Sequence, residues 1–65
     1  MKTKEFQLTF SKAIFPASYK QIKYIERICD TGKISTSQLM KRLESEDASE
    51  LIDLAKSGVK IIIRG

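Results

Sequence analysis

The feature that most constrains this chain is a rotation in its apolar pattern. Leu39, Met40 and Leu43 recur at helical spacing, and so do Ala48, Leu51, Ile52 and Ala55. At about 100° per residue, however, the two groups are centred about 120° apart on one helical wheel. A single helix through both would turn one stripe toward water. A break at Ser45 removes the conflict and places Glu46 and Asp47 in a first turn, where the helix dipole favours anions. Ser18 and Ser35 open two further segments, Ser18-Tyr19-Lys20-Gln21 and Ser35-Thr36-Ser37-Gln38. Both fit S-x-x-Q, in which the hydroxyl accepts from an early helical N–H and the glutamine reaches back to the cap.

Helix 1 is predicted from about residue 19 to 30, stopped by Thr31-Gly32, with Ile22, Ile25, Ile28 and Cys29 in one stripe about 120° wide. Ile34 and Leu39 are spaced to form a hydrophobic staple at the start of helix 2, which presents Leu39, Met40 and Leu43. Helix 3 ends at Ser57-Gly58, with Lys56 in its last turn. On either side lie strand-like runs. Residues 4–10 alternate, with Phe6, Leu8 and Phe10 on one side, until Phe15-Pro16 ends extended structure. Val59 to Arg64 is a strand by β-branched content, with Val59, Ile61 and Ile63 inward.

The expected fold is a small single α+β domain in the order strand–helix–helix–helix–strand, residues 1–65, with the two strands forming a ribbon against three short helices. Its core is expected to hold Phe6, Leu8, Phe10, Ile22, Ile25, Ile28, Leu39, Leu43, Leu51, Ile52, Leu54, Val59, Ile61 and Ile63. Ile62 breaks the pattern, because alternation points it outward with Lys60 and Arg64. A two-stranded ribbon has two open edges, so this edge is expected to pair in a homodimer, to meet a target protein, or to be covered within the monomer.

Sixty-five residues leave no room for a second domain, at the lower end of what folds without metals or disulfides. The single cysteine excludes an internal disulfide and suits a reducing cytosol. The longest apolar run, Ile61-Ile62-Ile63, is too short to cross a bilayer, and no apolar leader follows Met1. A complete cytoplasmic protein with no membrane contact is the expectation. Without histidine there is no ordinary catalytic triad, imidazole base or Cys/His metal cluster. Cys29 lies on the apolar stripe and reads as a packed thiol. No catalytic residue, metal ligand or cofactor site is expected, and no enzymatic activity.

Charge is distributed unevenly. Residues 1–43 carry nine Lys/Arg against three acids, whereas residues 44–57 carry five acids against one lysine. Two solvated faces of opposite sign account for this, and so does a partner footprint. Lys20, Lys23 and Arg27 form a ridge on helix 1 with Tyr24 beside them, which Lys41 and Arg42 extend if helices 1 and 2 pack side by side. Cations for phosphates and an aromatic for bases are the minimal equipment for nucleic-acid binding. On helix 3, Glu46, Asp47, Glu50 and Asp53 form an acidic face.

Residues 17–28, through Lys20-Gln21 and Tyr24-Ile25, and residues 48–54, through Ala48-Ser49 and Leu51-Ile52-Asp53, resemble a small helical module of phage and mobile-element proteins of Gram-positive bacteria. The resemblance spans residues 17–54, about 60% of the chain, and rests mostly on caps and core positions. The lead-in to the last helix departs from the pattern at Leu43-Glu44-Ser45, as does Asp47. It implies a non-enzymatic accessory protein of a bacterial host cell that contacts single-stranded or duplex DNA. The alternative is an inhibitor of a host defence nuclease, in the manner of anti-CRISPR proteins, acting by protein–protein contact.

Overall fold

The computed structural model describes residues 2–65 and runs β1 (Thr3–Gln7), α1 (Tyr19–Ile28), α2 (Thr36–Arg42), α3 (Ser45–Lys56) and β2 (Lys60–Arg64). It is an α+β domain with one two-stranded sheet. The strands are parallel, with Thr3 opposite Lys60 and Gln7 opposite Arg64. Parallel strands need a long crossover, and here all three helices supply it. Ile61 and Ile63 of β2 turn inward with Leu8 to meet Ile22 and Ile25 of α1, Leu39 and Leu43 of α2, and Ala48 and Leu51 of α3 in one buried cluster.

Local hydrogen bonds mark the starts of α1 and α2 and the end of α3. At α1 the full capping box forms: Ser18 Oγ accepts from Gln21 N–H at 3.2 Å, and Gln21 Oε1 accepts from Ser18 N–H at 3.0 Å. Ser18→Ala is expected to cost about 1 kcal/mol, as is usual for a lost N-cap; a chemical melt unchanged from wild type would show the cap to be dispensable. At α2 only half the box forms. Ser35 Oγ accepts from Gln38 N–H, but the Gln38 side chain accepts from Arg42 instead of turning back to the cap. α3 ends in the paired bonds of a Schellman motif, Gly58 N–H to Ala55 O and Val59 N–H to Leu54 O, which require the positive φ of Gly58 (97°).

Four expectations need correction. α1 ends at Ile28 rather than Asp30, because Cys29 turns extended and Asp30 joins the sheet. Asp30 N–H donates to Ile61 O and its carbonyl accepts from Ile63 N–H, both under 3 Å (2.9 and 2.8 Å). Ile28, at the margin of the α1 stripe, is left 37% exposed, and so is Met40. The N-cap of α3 is Glu44 rather than Ser45, and it makes no side-chain cap bond.

Phe10 is the fourth. It is 88% exposed rather than buried. The last ladder bond runs from Leu8 N–H to Arg64 O, and β2 offers no partner beyond it, so the alternation stops at Leu8. The chain then turns onto the corner between α2 and α3. Ala13 N–H donates to Lys41 O, Ala17 N–H to Leu43 O and Ser45 N–H to Phe15 O. The Glu44 carboxylate accepts from the N–H groups of Ile14 (2.9 Å) and Phe15 (3.0 Å). Glu44 is therefore engaged with this loop, which explains its silence as a cap.

Candidate nucleic-acid interface

The solvent face of α1 follows from its inner one. With Ile22, Ile25 and Cys29 turned to the core, helical geometry sends Lys20, Lys23, Tyr24 and Arg27 outward together. They line a shallow cleft of about 590 Å³ with Tyr19 and Glu26. Tyr19 and Tyr24 stand at its two margins by helical angle, with the cations between them. Lys23 Nζ lies 5.9 Å from the Tyr19 ring centroid, and Lys56 Nζ, from α3, lies 5.6 Å from that of Tyr24. The site thus sets three cations between two rings, with a fourth cation over the second ring.

Glu26 is the one acid lining this cleft, and it is occupied. Its Oε2 accepts from Thr36 Oγ at 2.6 Å, tying α1 to the start of α2, and its Oε1 lies 3.6 Å from Lys23 Nζ. Lys23 is thereby partly neutralised. Lys20 and Arg27 form no ion pair among the described residues and are exposed, so their full charge faces solvent. Arg27 also sits in the last turn of α1, where the helix dipole favours a cation.

Lys41 and Arg42 do not join this cleft. They line a separate one of about 360 Å³ with Phe10, Lys12 and Gln38. Arg42 is moreover a structural clamp. Its Nε donates to Thr9 O at 2.6 Å, its Nη1 donates to Gln38 Oε1, and its guanidinium stacks 5.3 Å from the Phe10 ring centroid. Of the six residues expected to bind nucleic acid, the fold brings four together: Lys20, Lys23, Tyr24 and Arg27. Tyr19 and Lys56 are the additions. The angular count that places Tyr24 beside the cations also places Tyr19 on their other side. Lys56 depends on the packing of α3 against α1, which no local pattern carries.

The ribbon edge is less open than a two-stranded sheet implies. Asp30 occupies the side of β2 away from β1, opposite Ile62, which is half-buried. Lys60 is exposed, and Arg64 Nε donates to Glu5 Oε1 at 2.6 Å on the outer sheet face. Among the described residues, the outer edge of β1 has no strand partner. On α3, Glu46, Glu50 and Asp53 are exposed at helical spacing and Asp47 is half-buried, with Glu50 3.7 Å from Lys4 Nζ.

Cys29 is buried, and burial raises its thiol pKa, which keeps it protonated and unreactive at neutral pH. Among the described residues, no three side chains gather to hold a metal ion, and no helix is long and apolar enough to cross a membrane. A scan against protein-family models and searches of curated proteins and of solved structures each returned no match.

Proposed function

We propose that this protein binds nucleic acid without catalysis through the outer face of α1, as a phage- or mobile-element-type accessory factor in the cytoplasm of a bacterial host. The observation that carries the reading is the grouping of Lys23, Arg27 and Lys20 between Tyr19 and Tyr24 across one cleft, with Lys56 over the second ring. Phosphates would take the cations, and unpaired bases would stack on the tyrosines, which favours a single strand over a duplex.

Fluorescence anisotropy with short single- and double-stranded DNA and RNA tests this. Binding is expected at micromolar protein, weakening steeply with salt. Lys20→Glu/Arg27→Glu is the cleanest variant, since among the described residues neither has an ion-pair partner to lose. Removing two phosphate contacts should flatten the log–log salt slope by roughly 1.4 units on a single strand. Tyr19→Ala/Tyr24→Ala should weaken single-strand binding by about tenfold or more while changing the salt slope little. Absence of binding to all four nucleic acids at about 100 μM, the weak end of non-specific affinity, would refute the proposal.

One feature favours the alternative, an inhibitor of a host defence nuclease acting by contact. Glu46, Glu50 and Asp53 form an exposed acidic row on α3 that imitates spaced phosphates before a basic channel. On that reading the protein binds no nucleic acid but competes with it for the nuclease.

A further inference from the structure

The loop over residues 9–17 combines two properties that rarely occur together. It is bonded to the α2–α3 corner at Thr9 and along residues 13–17, and it holds three large apolar side chains in water. Phe10, Ile14 and Phe15 are 88%, 80% and 74% exposed. Exposed apolar groups on a floppy loop can collapse onto the protein. Here the Glu44 carboxylate holds the amides of Ile14 and Phe15, the Pro16–Glu44 bridge holds the next residue, and Arg42 holds Thr9 and underlies Phe10. The side chains are presented outward by a fixed backbone, so little ordering entropy remains to be lost on docking.

The surroundings indicate what would dock. Lys12 and Lys41 line the cleft beside Phe10, and no acid occurs between Glu5 and Glu26. Among the described residues, the carboxylate that hydrogen-bonds to the loop is that of Glu44, and its two oxygens are spent on backbone amides. Exposed apolar side chains with lysines beside them match a partner surface that sets apolar anchors among acidic residues. A second copy meeting this patch about a two-fold axis would bring lysine against lysine. A nucleic acid would find rings in Phe10 and Phe15, but it gains nothing from Ile14, which has no ring to stack on, and it finds the amides of Ile14 and Phe15 already taken by a carboxylate. We infer that residues 10–15 form a preformed docking surface for a protein or peptide with acidic residues around apolar anchors, distinct from the α1 face.

The test uses random twelve-residue peptides displayed in a library, selected on the immobilised protein and counter-selected on Phe10→Ser/Phe15→Ser. Both residues are so exposed that the variant should fold as wild type does, which circular dichroism checks. The selected peptides should share aromatic or aliphatic anchors flanked by Asp or Glu. A synthetic peptide of that consensus should lose roughly thirtyfold in affinity for the double variant, as for a hot-spot anchor, and several-fold for Lys12→Glu. Failure to enrich any sequence, enrichment without acidic residues, or equal binding to the double variant overturns the inference. So does a result in which the same double variant abolishes binding to anionic phosphatidylserine vesicles or to oligonucleotides, or removes a concentration-dependent dimer. Each of these assigns the loop a different occupant.

Discussion

Ile25→Ala is expected to unfold most of this domain near physiological temperature, whereas Ile28→Ala, one turn further along the same helix, should leave it folded. Ile25 has no exposed surface and lies at the middle of α1, where that helix meets α3. Truncating a fully buried isoleucine removes transfer free energy and leaves a cavity, at about 2–5 kcal/mol. A chain of 65 residues has roughly 3–10 kcal/mol of total stability. The loss is thus comparable to the whole, and the melting temperature should fall by roughly 10–30 °C. Ile28 is 37% exposed, so its truncation removes less apolar contact and opens no sealed cavity; about 1 kcal/mol or less is expected. Urea melts of the two variants beside wild type provide the measurement. Equal losses at both positions would mean that α1 is rotated from the orientation described, and the outward placement of Lys20, Lys23, Tyr24 and Arg27 would be wrong with it.

That dependence of the site on the inner stripe explains what could be read from the sequence. The order of elements and the break before α3 follow from periodicity, because a helix cannot change its buried face midway without exposing apolar side chains. The cluster on α1 follows from the same geometry, since its four anticipated members, Lys20, Lys23, Tyr24 and Arg27, lie within one short helix. What was not legible depends on contacts between segments far apart in the chain. Phe10 continues the alternation of β1 perfectly well, and it is exposed because β2 stops at Arg64, a fact about another strand. Cys29 and Asp30 fit a helix locally, but Asp30 has better backbone partners in Ile61 and Ile63. Arg42 reads as one more cation of the ridge, yet three of its interactions are with residues 8–10, more than thirty positions away. Long side chains make such choices only once the fold has placed acceptors around them.

Glu44 is the strongest case of this kind, and its removal should have the second large effect. A glutamate just before a helix reads as a first-turn anion or a solvated residue. In the folded chain it is half-buried and receives two backbone N–H groups, those of Ile14 and Phe15. Hydrogen bonds to an ionised acceptor are each worth about 1.5–3 kcal/mol. Water can reach these amides once the carboxylate is gone, so the net loss for Glu44→Ala should be lower than the sum, about 1–3 kcal/mol. The favourable placement of an anion at the start of α3 disappears as well, adding a few tenths of a kcal/mol. Glu44→Gln keeps one acceptor oxygen and the shape, and should fall between wild type and alanine. Hydrogen exchange separates this local clamp from general destabilisation. In Glu44→Ala the amides of Ile14 and Phe15 should exchange far faster, while those of Ala17 and Ser45, which bond to the backbone of Leu43 and Phe15, keep most of their protection. If all four amides lose protection together, the loop has no independent clamp and its order is only a reflection of global stability. If Ile14 and Phe15 alone are released, the same substitution should weaken capture of an acidic peptide by roughly tenfold, because about 1.4 kcal/mol of loop ordering must then be supplied by binding itself.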